Sequence, residues 1–219
     1  METQILDDNN FGQKKEELMR DNIGRAKFTI YTYIFVLVFA IGLTFADTYA
    51  VLADVDVTLP NALLSFLYGL GVLVGFVSFL MWFRRAYKNI QIIGYETRHK
   101  DGWAVGGFFV PIIGLYYPYN IMTEIWQKMK LTAEGNNIKH HLWGGIHGWW
   151  WFIWLLSFVV SYVSFRSGIE VSFSTNTIHT ASFGTIFENI INCLDALLTI
   201  LVVKALSDTE KELREHGGF

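Results

Sequence analysis

Five long blocks of apolar residues, almost free of charged side chains, limit what this chain can fold into. They cover residues 28–46, 62–83, 103–126, 142–165 and 183–203. A hydrocarbon core about 30 Å thick is crossed by roughly 20 helical residues, which is the length of these blocks. Of the 219 residues, 52% are hydrophobic, more than a soluble domain of this size needs. The sequence therefore predicts an all-α integral membrane protein.

The basic residues indicate how many of the five blocks cross the membrane, because Lys and Arg in short loops are retained in the cytoplasm. Five of them precede the first block, whereas the acidic connection 47–60 between the first two blocks contains none. Both flanks of the third block are basic. If the third block does not cross, 16 of the 17 basic residues are cytoplasmic, and only Arg166 is outside. This pattern predicts four spans with both chain ends in the cytoplasm.

The third block, 103–126, is also the block richest in residues that interrupt helices. It contains Pro111 and Pro118 together with several glycines. Proline lacks the backbone donor and clashes with the preceding turn. Broken backbone at membrane depth requires protein or a water-filled cavity to satisfy its polar groups. We therefore expect a re-entrant or interfacial element packed against the spans. The alternative is a fifth, kinked span that places the C-terminus outside.

These assignments divide the chain into a cytoplasmic N-terminal segment, 1–27, a membrane domain, 28–206, and a cytoplasmic tail, 207–219. The net charge of −3 gives no electrostatic field that would attract nucleic acid, so nucleic acid is not an expected partner. The long apolar blocks make the lipid bilayer the expected partner.

The segment from Trp82 to Trp126 carries the most specific sequence pattern. A Trp, an Arg and an Asn end one apolar block, and a Gly- and Trp-rich stretch with two prolines follows. This segment resembles the bacterial membrane family catalogued as domain of unknown function 4328. The resemblance implies a multi-span protein of the bacterial inner membrane and supplies no catalytic residue. The residues that match are Trp82, Arg85, Asn89, Trp103, Pro111 and Pro118.

These six residues are the first candidate site. Arg85 and Asn89 are four residues apart and therefore share one helix face. We expect the six to form a structural clamp on the broken third block, or to bind an anionic lipid head group. Arg84 and Lys88 occupy a second face, where basic side chains commonly extend to the interface and fix the depth of a helix.

The second candidate site lies within the fifth block, which contains Glu188, Asn189, Asn192 and Asp195. The last three recur at every third position, which predicts one polar face. Ionisable groups in a bilayer usually face the bundle interior or a cavity, so these residues could form a permeation lane. The alternative is a set of interhelical hydrogen bonds that join the spans. Both interpretations stay open at this stage.

Other polar groups give weaker signals. His140 and His147 are two helical turns apart, which is too far for a shared metal without further ligands. We therefore expect interfacial histidines, no metal site and no cofactor. The run Trp149 to Trp151, with Trp154, is typical of residues that anchor a helix at head-group level, and the alternative is that a ligand stacks on these rings. Gly71 and Gly75 form a small-residue face for helix packing, either within the chain or between copies.

Three functional hypotheses follow. No hydrolase, nucleotide-binding or metalloprotease motif is present in the sequence, so an enzyme is not expected. A channel or transporter-like permeation protein, working as a homo-oligomer, is motivated by the polar residues of the fifth block. The alternative is a membrane scaffold or sensor that recruits a protein partner, and a lipid-acting membrane enzyme is the third hypothesis.

Overall fold

The structure is a computed structural model that describes residues 21–55, 58–175 and 183–216, with the side chains of 58, 167–175 and 183 not described. Most of the predicted N-terminal segment, 1–27, and the last residues of the predicted tail therefore lie outside the described residues. The described part contains helices and no strand. The α-helices are α1 (Ile23–Ala53), α2 (Thr58–Ile93), α3 (Trp103–Gly106), α4 (Tyr117–Gly135), α5 (Ile146–Thr175) and α6 (Phe183–Glu215).

Within the described residues, four helices are long and apolar enough to cross a membrane, namely α1, α2, α5 and α6. Only 11% to 39% of the residues in their most apolar windows are buried. Large side chains such as Phe45 (73% exposed) and Leu63 (62% exposed) therefore cover the outer surface. Surface of this kind is unfavourable in water and favourable in hydrocarbon. The predicted all-α membrane fold with four membrane-spanning helices is confirmed.

The third apolar block is broken into short pieces, because α3 is followed by two 3-10 turns, Gly107–Phe109 and Ile113–Leu115, before α4 begins. Val110 is extended, as expected for a residue that precedes a proline. Pro111 thus separates the two turns. Pro118 instead lies in the first turn of α4, where its missing N–H is not needed. Only one of the two prolines interrupts the chain, and α4 continues past 126, the predicted end of the block.

The described residues form two compact units. The first unit comprises the described residues 21–28, 78–147 and 202–216, and the second unit comprises the described residues 29–55, 58–77, 148–175 and 183–201. The structure describes 13 of the 16 basic residues expected in the cytoplasm, and all 13 belong to the first unit, whereas Arg166 belongs to the second. The core of the first unit is apolar and aromatic, and its largest fully buried side chains are Trp82, Phe83, Tyr87, Ile90, Ile121, Met122, Ile125, Met129 and Leu213.

In the first unit, the broken segment packs on α2 through Phe108. Its ring lies edge-on to Phe79 and Phe83, with centroid distances of 6.2 and 6.0 Å. The two 3-10 turns approach closely, since a β-carbon on Gly114 would lie 3.1 Å from the carbonyl oxygen of Gly107. The glycines of this segment therefore permit close backbone contact, which is why they accompany the proline.

The second unit contains only parts of the four long helices. Gly71 and Gly75 of α2 face α1, since a β-carbon at Gly71 would lie 2.8 Å from the ring of Phe35. The equivalent distance from Gly75 to the ring of Tyr33 is 3.3 Å. The small-residue face is thus used for packing within the chain, one of the two possibilities that the sequence left open.

Candidate functional site

A cavity of about 360 Å³ lies within the second unit. All four long helices line it, and α6 contributes Glu188, Asn192 and Asp195. The other lining residues are Tyr33 and Val36 of α1, Tyr68, Gly69, Val72 and Phe76 of α2, and Trp154, Ser157, Phe158 and Ser161 of α5. The lining is therefore aromatic with a few polar groups, which is the usual composition of a small-molecule site.

The polar face of α6 differs from the predicted one at one position. Glu188, Asn192 and Asp195 line the cavity, whereas Asn189 does not. An α-helix turns about 100° per residue, so positions four and seven residues apart stay on one side while a repeat of three drifts away. The predicted lane thus loses Asn189 and keeps the other three residues.

Asp195 has the most unusual environment of these residues. Its Oδ1 atom is shielded from solvent and accepts no hydrogen bond from the described residues. Tyr33 and Tyr68 line the same cavity as Asp195. A carboxylate in this position costs free energy unless a ligand, water or proton compensates it. The arrangement is suited to binding a positive charge.

Asn189 belongs to a separate polar network in the second unit. Its Nδ2 donates to Oδ2 of Asp47 at 2.9 Å, and Nδ2 of Asn61 donates to Oδ1 of the same carboxylate at 2.5 Å. Asp47 was assigned from sequence to the acidic connection 47–60, but it lies inside α1 and is only 4% exposed. Hydrogen bonds from two amides on α2 and α6 offset the cost of burying it. This network consists of hydrogen bonds between helices, which is the alternative to a permeation lane that the sequence offered for the fifth block.

The motif residues of α2 belong to the first unit. Nδ2 of Asn89 donates to Oε1 of Glu210 at 3.1 Å, and the guanidinium of Arg214 lies 3.3 Å from the same oxygen. The backbone carbonyl of Trp82 accepts a hydrogen bond of 3.2 Å from Nδ2 of Asn22. Asn89 and Trp82 are both 1% exposed. Through these contacts α2 is joined to α6 and to the residue that precedes α1.

The other motif residues differ from one another in their exposure to solvent. Arg85 is half-buried, and its Nε atom is shielded from solvent. Trp103 is partly exposed and packs edge-on against Tyr117, with ring centroids 5.3 Å apart. Pro111 is exposed, whereas Pro118 is buried. A structural role fits the buried members of the motif, and the clamp or lipid role assigned to the six together stays a prediction.

A second set of contacts fixes the connection that follows α2. The helix ends at Gly94, whose φ of 105° lies in the left-handed region that favours glycine. The hydroxyl of Tyr87 donates to Glu124 of α4 at 2.7 Å and accepts from the backbone N–H of His99 at 3.2 Å. Glu124 also accepts from the backbone N–H of Arg98 at 3.1 Å. This connection is therefore held by α4.

The histidines and tryptophans of the fourth block are mostly structural. His147 packs against Trp126, with ring centroids 5.2 Å apart, and no group of three or more potential metal ligands occurs among the described residues. Trp149 is 65% exposed, as expected of an anchor. Trp150 is 1% exposed, and its Nε1–H donates to Oγ1 of Thr199 at 3.0 Å. Trp150 is thus a buried packing residue, which differs from the anchor role expected for the whole run.

Four residues with clear roles were not singled out from sequence, namely Tyr33, Asp47, Glu124 and Glu210. Tyr33 and Asp47 carried a usable signal, since each is a polar residue in or beside a long apolar block. Glu124 lies at the end of the third apolar block, close to Lys128 and Lys130, and Glu210 lies among charged residues, so both resembled solvated carboxylates. Their burial depends on partners that are distant in the chain.

Comparison with known proteins completes this description. No curated protein and no solved structure shows significant similarity to the chain. The family model described as domain of unknown function (DUF4328) matches residues 51–208, which is well over half of the chain. The matched range contains all six motif residues and also Glu188, Asn189, Asn192 and Asp195. The family resemblance expected from the sequence is confirmed, and the protein is a member of the domain of unknown function 4328 family.

Proposed function

We propose that this protein is a channel or transporter-like permeation protein that moves a positively charged solute across the membrane through its second unit. The observation that carries the proposal is the cavity in which Asp195 has a shielded oxygen without a hydrogen-bond partner among the described residues. Ionisable residues within membrane-spanning segments are costly and commonly mark ion, proton or substrate pathways.

The charge of the cavity lining supports a cation as the solute. Glu188 and Asp195 are both acidic, and none of the described lining residues is basic. Asn192, between the two carboxylates, adds an amide that can donate or accept. The apolar surroundings strengthen the attraction between these carboxylates and a cation, because the local dielectric constant is low.

The orientation that we propose keeps both chain ends in the cytoplasm of a bacterial cell, in its inner membrane. The 13 described basic residues of the first unit support this orientation through the positive-inside rule. Segment 103–126 then starts and ends on the cytoplasmic side, as a re-entrant or interfacial element. Exposed basic side chains such as Arg84 are suited to contact anionic lipid head groups.

Labelling of single cysteines tests this orientation. On a Cys193→Ala background, we would introduce Gly135→Cys, His216→Cys and Val55→Cys, all at exposed positions. We expect a membrane-impermeant reagent to reach the first two only from the cytoplasmic face and Val55→Cys only from outside. Labelling of Gly135→Cys and His216→Cys from outside would show that 103–126 is a fifth span.

We further propose that the protein works as a homo-oligomer. A bundle of four helices encloses little space of its own, so neighbouring copies would help to enclose the path that runs through each second unit. The many exposed apolar side chains of α1 and α2 provide surface for such contacts as well as for lipid. Chemical crosslinking in native membranes would test this, and a strictly monomeric species would exclude it.

Flux measurements in liposomes test the permeation function itself. Purified protein would be reconstituted, a potential imposed, and the entry of protons, alkali cations and small organic cations followed. We expect flux of at least one of these that falls at least tenfold with Asp195→Asn. A folded protein that moves none of them would exclude the permeation function.

The second candidate is a scaffold or sensor that recruits a partner, and the first unit supplies the observation that favours it. Glu210 is 3% exposed and is matched by Asn89 and Arg214, so this unit has a well-packed polar core suited to holding a rigid surface. A scaffold needs no open cavity around Asp195. Absence of flux in folded protein, together with loss of function on substitution of an exposed residue of 207–219 such as Lys211, would favour this candidate.

A further inference from the structure

We propose that the cavity of the second unit binds a monovalent organic cation with an aromatic or alkyl body, a ligand class more specific than the positive charge inferred above. Its role as the transported solute rests on the proposed function, whereas its binding does not. Three features of the cavity point to this class, namely its volume, its aromatic lining and the spacing of its carboxylates.

The volume is too large for a bare ion. At about 360 Å³, the cavity lies in the range of roughly 300 to 1,000 Å³ that is usual for small-molecule sites. A single water molecule takes up about 30 Å³ of liquid. A metal ion bound here would leave most of the space unfilled, whereas an organic ion of ten or more heavy atoms could occupy it.

The spacing of the two carboxylates also favours an organic cation over a metal ion. Glu188 and Asp195 are seven residues apart on α6, which places them roughly 10 Å apart along the axis. Ca²⁺ and Mg²⁺ need several oxygen ligands at about 2 to 2.6 Å. The described residues contain no group of three or more acidic, His or Cys side chains that could hold a metal. An elongated organic ion can instead place its charge beside one carboxylate and its body along the helix.

The aromatic lining supplies the surface for such a body. Tyr33, Tyr68, Phe76, Trp154 and Phe158 all line the cavity. The rings of Trp154 and Phe158 are nearly parallel, at 16°, with centroids 6.5 Å apart. Aromatic faces attract quaternary ammonium groups and contact apolar carbon equally well. Aromatic rings combined with a desolvated carboxylate form the recognition chemistry of an ammonium ion.

The position of Trp154 is fixed before any ligand arrives. Its ring stacks on Trp151, with centroids 4.8 Å apart and an interplanar angle of 9°. Trp151 is itself only 7% exposed. A ring held in place by packing loses little freedom on binding, which favours affinity. Trp154 and Phe158 therefore form a preformed part of the aromatic lining, and Trp154→Leu removes the larger of these two rings.

Binding would be measured by calorimetry on the full chain in lipid nanodiscs, with benzyltrimethylammonium as the probe. Neopentylbenzene, which has the same shape without the charge, would be the matched neutral ligand, and empty nanodiscs would correct for partition into lipid. We expect saturable binding of the cation only. We expect the affinity to fall at least tenfold with Asp195→Asn and severalfold with Trp154→Leu.

Asp208→Asn is the matched control, because it removes a carboxylate from the same helix at a position outside the cavity lining. It should bind the probe as the wild type does. If Trp154→Leu does not fold, Phe158→Leu tests the aromatic contribution in its place.

The possible outcomes separate this inference from the proposed function. Equal binding of the neutral ligand, or no binding of the cation by folded protein, would overturn the organic-cation site. If protons or alkali cations still flowed in an Asp195-dependent manner, the permeation function would survive that result. Saturable binding that Asp195→Asn weakens, with no flux of any cation, would establish the site and exclude permeation.

Discussion

Two carboxylates on the same helix, Glu210 and Asp195, have opposite surroundings. Glu210 lies in the first unit, where Asn89 donates to it and Arg214 forms an ion pair with it. Asp195 lies in the second unit, on a cavity, and its Oδ1 has no hydrogen-bond partner among the described residues. The difference comes from the neighbours of each carboxylate, which are Asn89 of α2 and Arg214 of α6 itself at Glu210, and the cavity at Asp195.

This contrast distinguishes a carboxylate that supports the fold from one that is available to a ligand. Removing a carboxylate that has hydrogen-bond or ion-pair partners destabilises the protein, because those partners stay buried without an acceptor. A shielded carboxylate without such partners destabilises the folded state, so removing its charge stabilises the protein. Stability and function are therefore expected to respond in opposite ways at the two positions.

The largest effect on stability is expected for Glu210→Ala, which leaves the Asn89 amide and the Arg214 guanidinium without their shared acceptor. We expect the free energy of unfolding to fall by about 3 kcal/mol. Glu210→Gln keeps an acceptor oxygen and should lose about 1 kcal/mol. Denaturant titrations in detergent measure both. Equal losses for the two variants would contradict the proposed role of the charge.

The opposite behaviour is expected at Asp195. Asp195→Asn should leave the free energy of unfolding unchanged or raise it by about 1 kcal/mol, because a desolvated charge is removed. Cation flux should fall at least tenfold in the same variant, as measured in liposomes. A marked loss of stability would show that Asp195 has a structural partner and would remove the contrast with Glu210.

Helix packing in the second unit is tested by Gly71→Ala. The new β-carbon would lie 2.8 Å from the ring of Phe35, so α1 or the ring must move. We expect a loss of about 1 to 2 kcal/mol in the free energy of unfolding. Gly42→Ala on α1 is the matched control, since nothing lies within 4 Å of its β-carbon. It should be neutral or stabilising, because alanine favours a helix over glycine.

Trp150→Phe tests a polar contact of the second unit that is satisfied, in contrast to Asp195. The variant removes the donor that bonds Thr199 and keeps most of the ring. We expect a loss of about 1 kcal/mol, the usual magnitude for hydrogen bonds between membrane helices. Thr199→Val should cost a similar amount, and the double variant should lose less than the sum. Additive losses would show that the two side chains are not coupled.

The smallest effect is expected at the surface of the first unit, for Arg84→Gln. Arg84 pairs with Asp101 at 3.2 Å, but its side chain is 57% exposed. Exposed ion pairs typically contribute from 0 to about 1 kcal/mol, so the unfolding free energy should change by less than 1 kcal/mol. A loss of unfolding free energy as large as that of Glu210→Ala would show that the burial of an ion pair does not determine its contribution to the stability of this unit.

Much of the fold could be predicted from the sequence, because the bilayer imposes simple requirements on length and polarity. The four long helices and the break at Pro111 follow from local composition alone. The role of Pro118 required the structure, since a proline breaks a helix in its interior and begins one in its first turn. The difference depends on where the neighbouring turns place the helix start.

The candidate site was predicted only in part. Glu188, Asn192 and Asp195 could be selected because charged and amide side chains are rare in apolar blocks. Asn189 does not line the cavity and instead bonds Asp47, which is 142 residues away in the chain. No local pattern specifies such a partner.

The sequence by itself determined the membrane class, the number of long apolar helices and the family, since these depend on composition and on short-range pattern. Only the tertiary structure decided which carboxylates have hydrogen-bond or ion-pair partners. Asp47 and Glu210 find amide partners on other helices, and Glu210 also pairs with Arg214 of its own helix, whereas Asp195 faces a cavity. The physical reason is that the free energy of a buried charge depends on the donors around it, and helix packing brings those donors from distant parts of the chain.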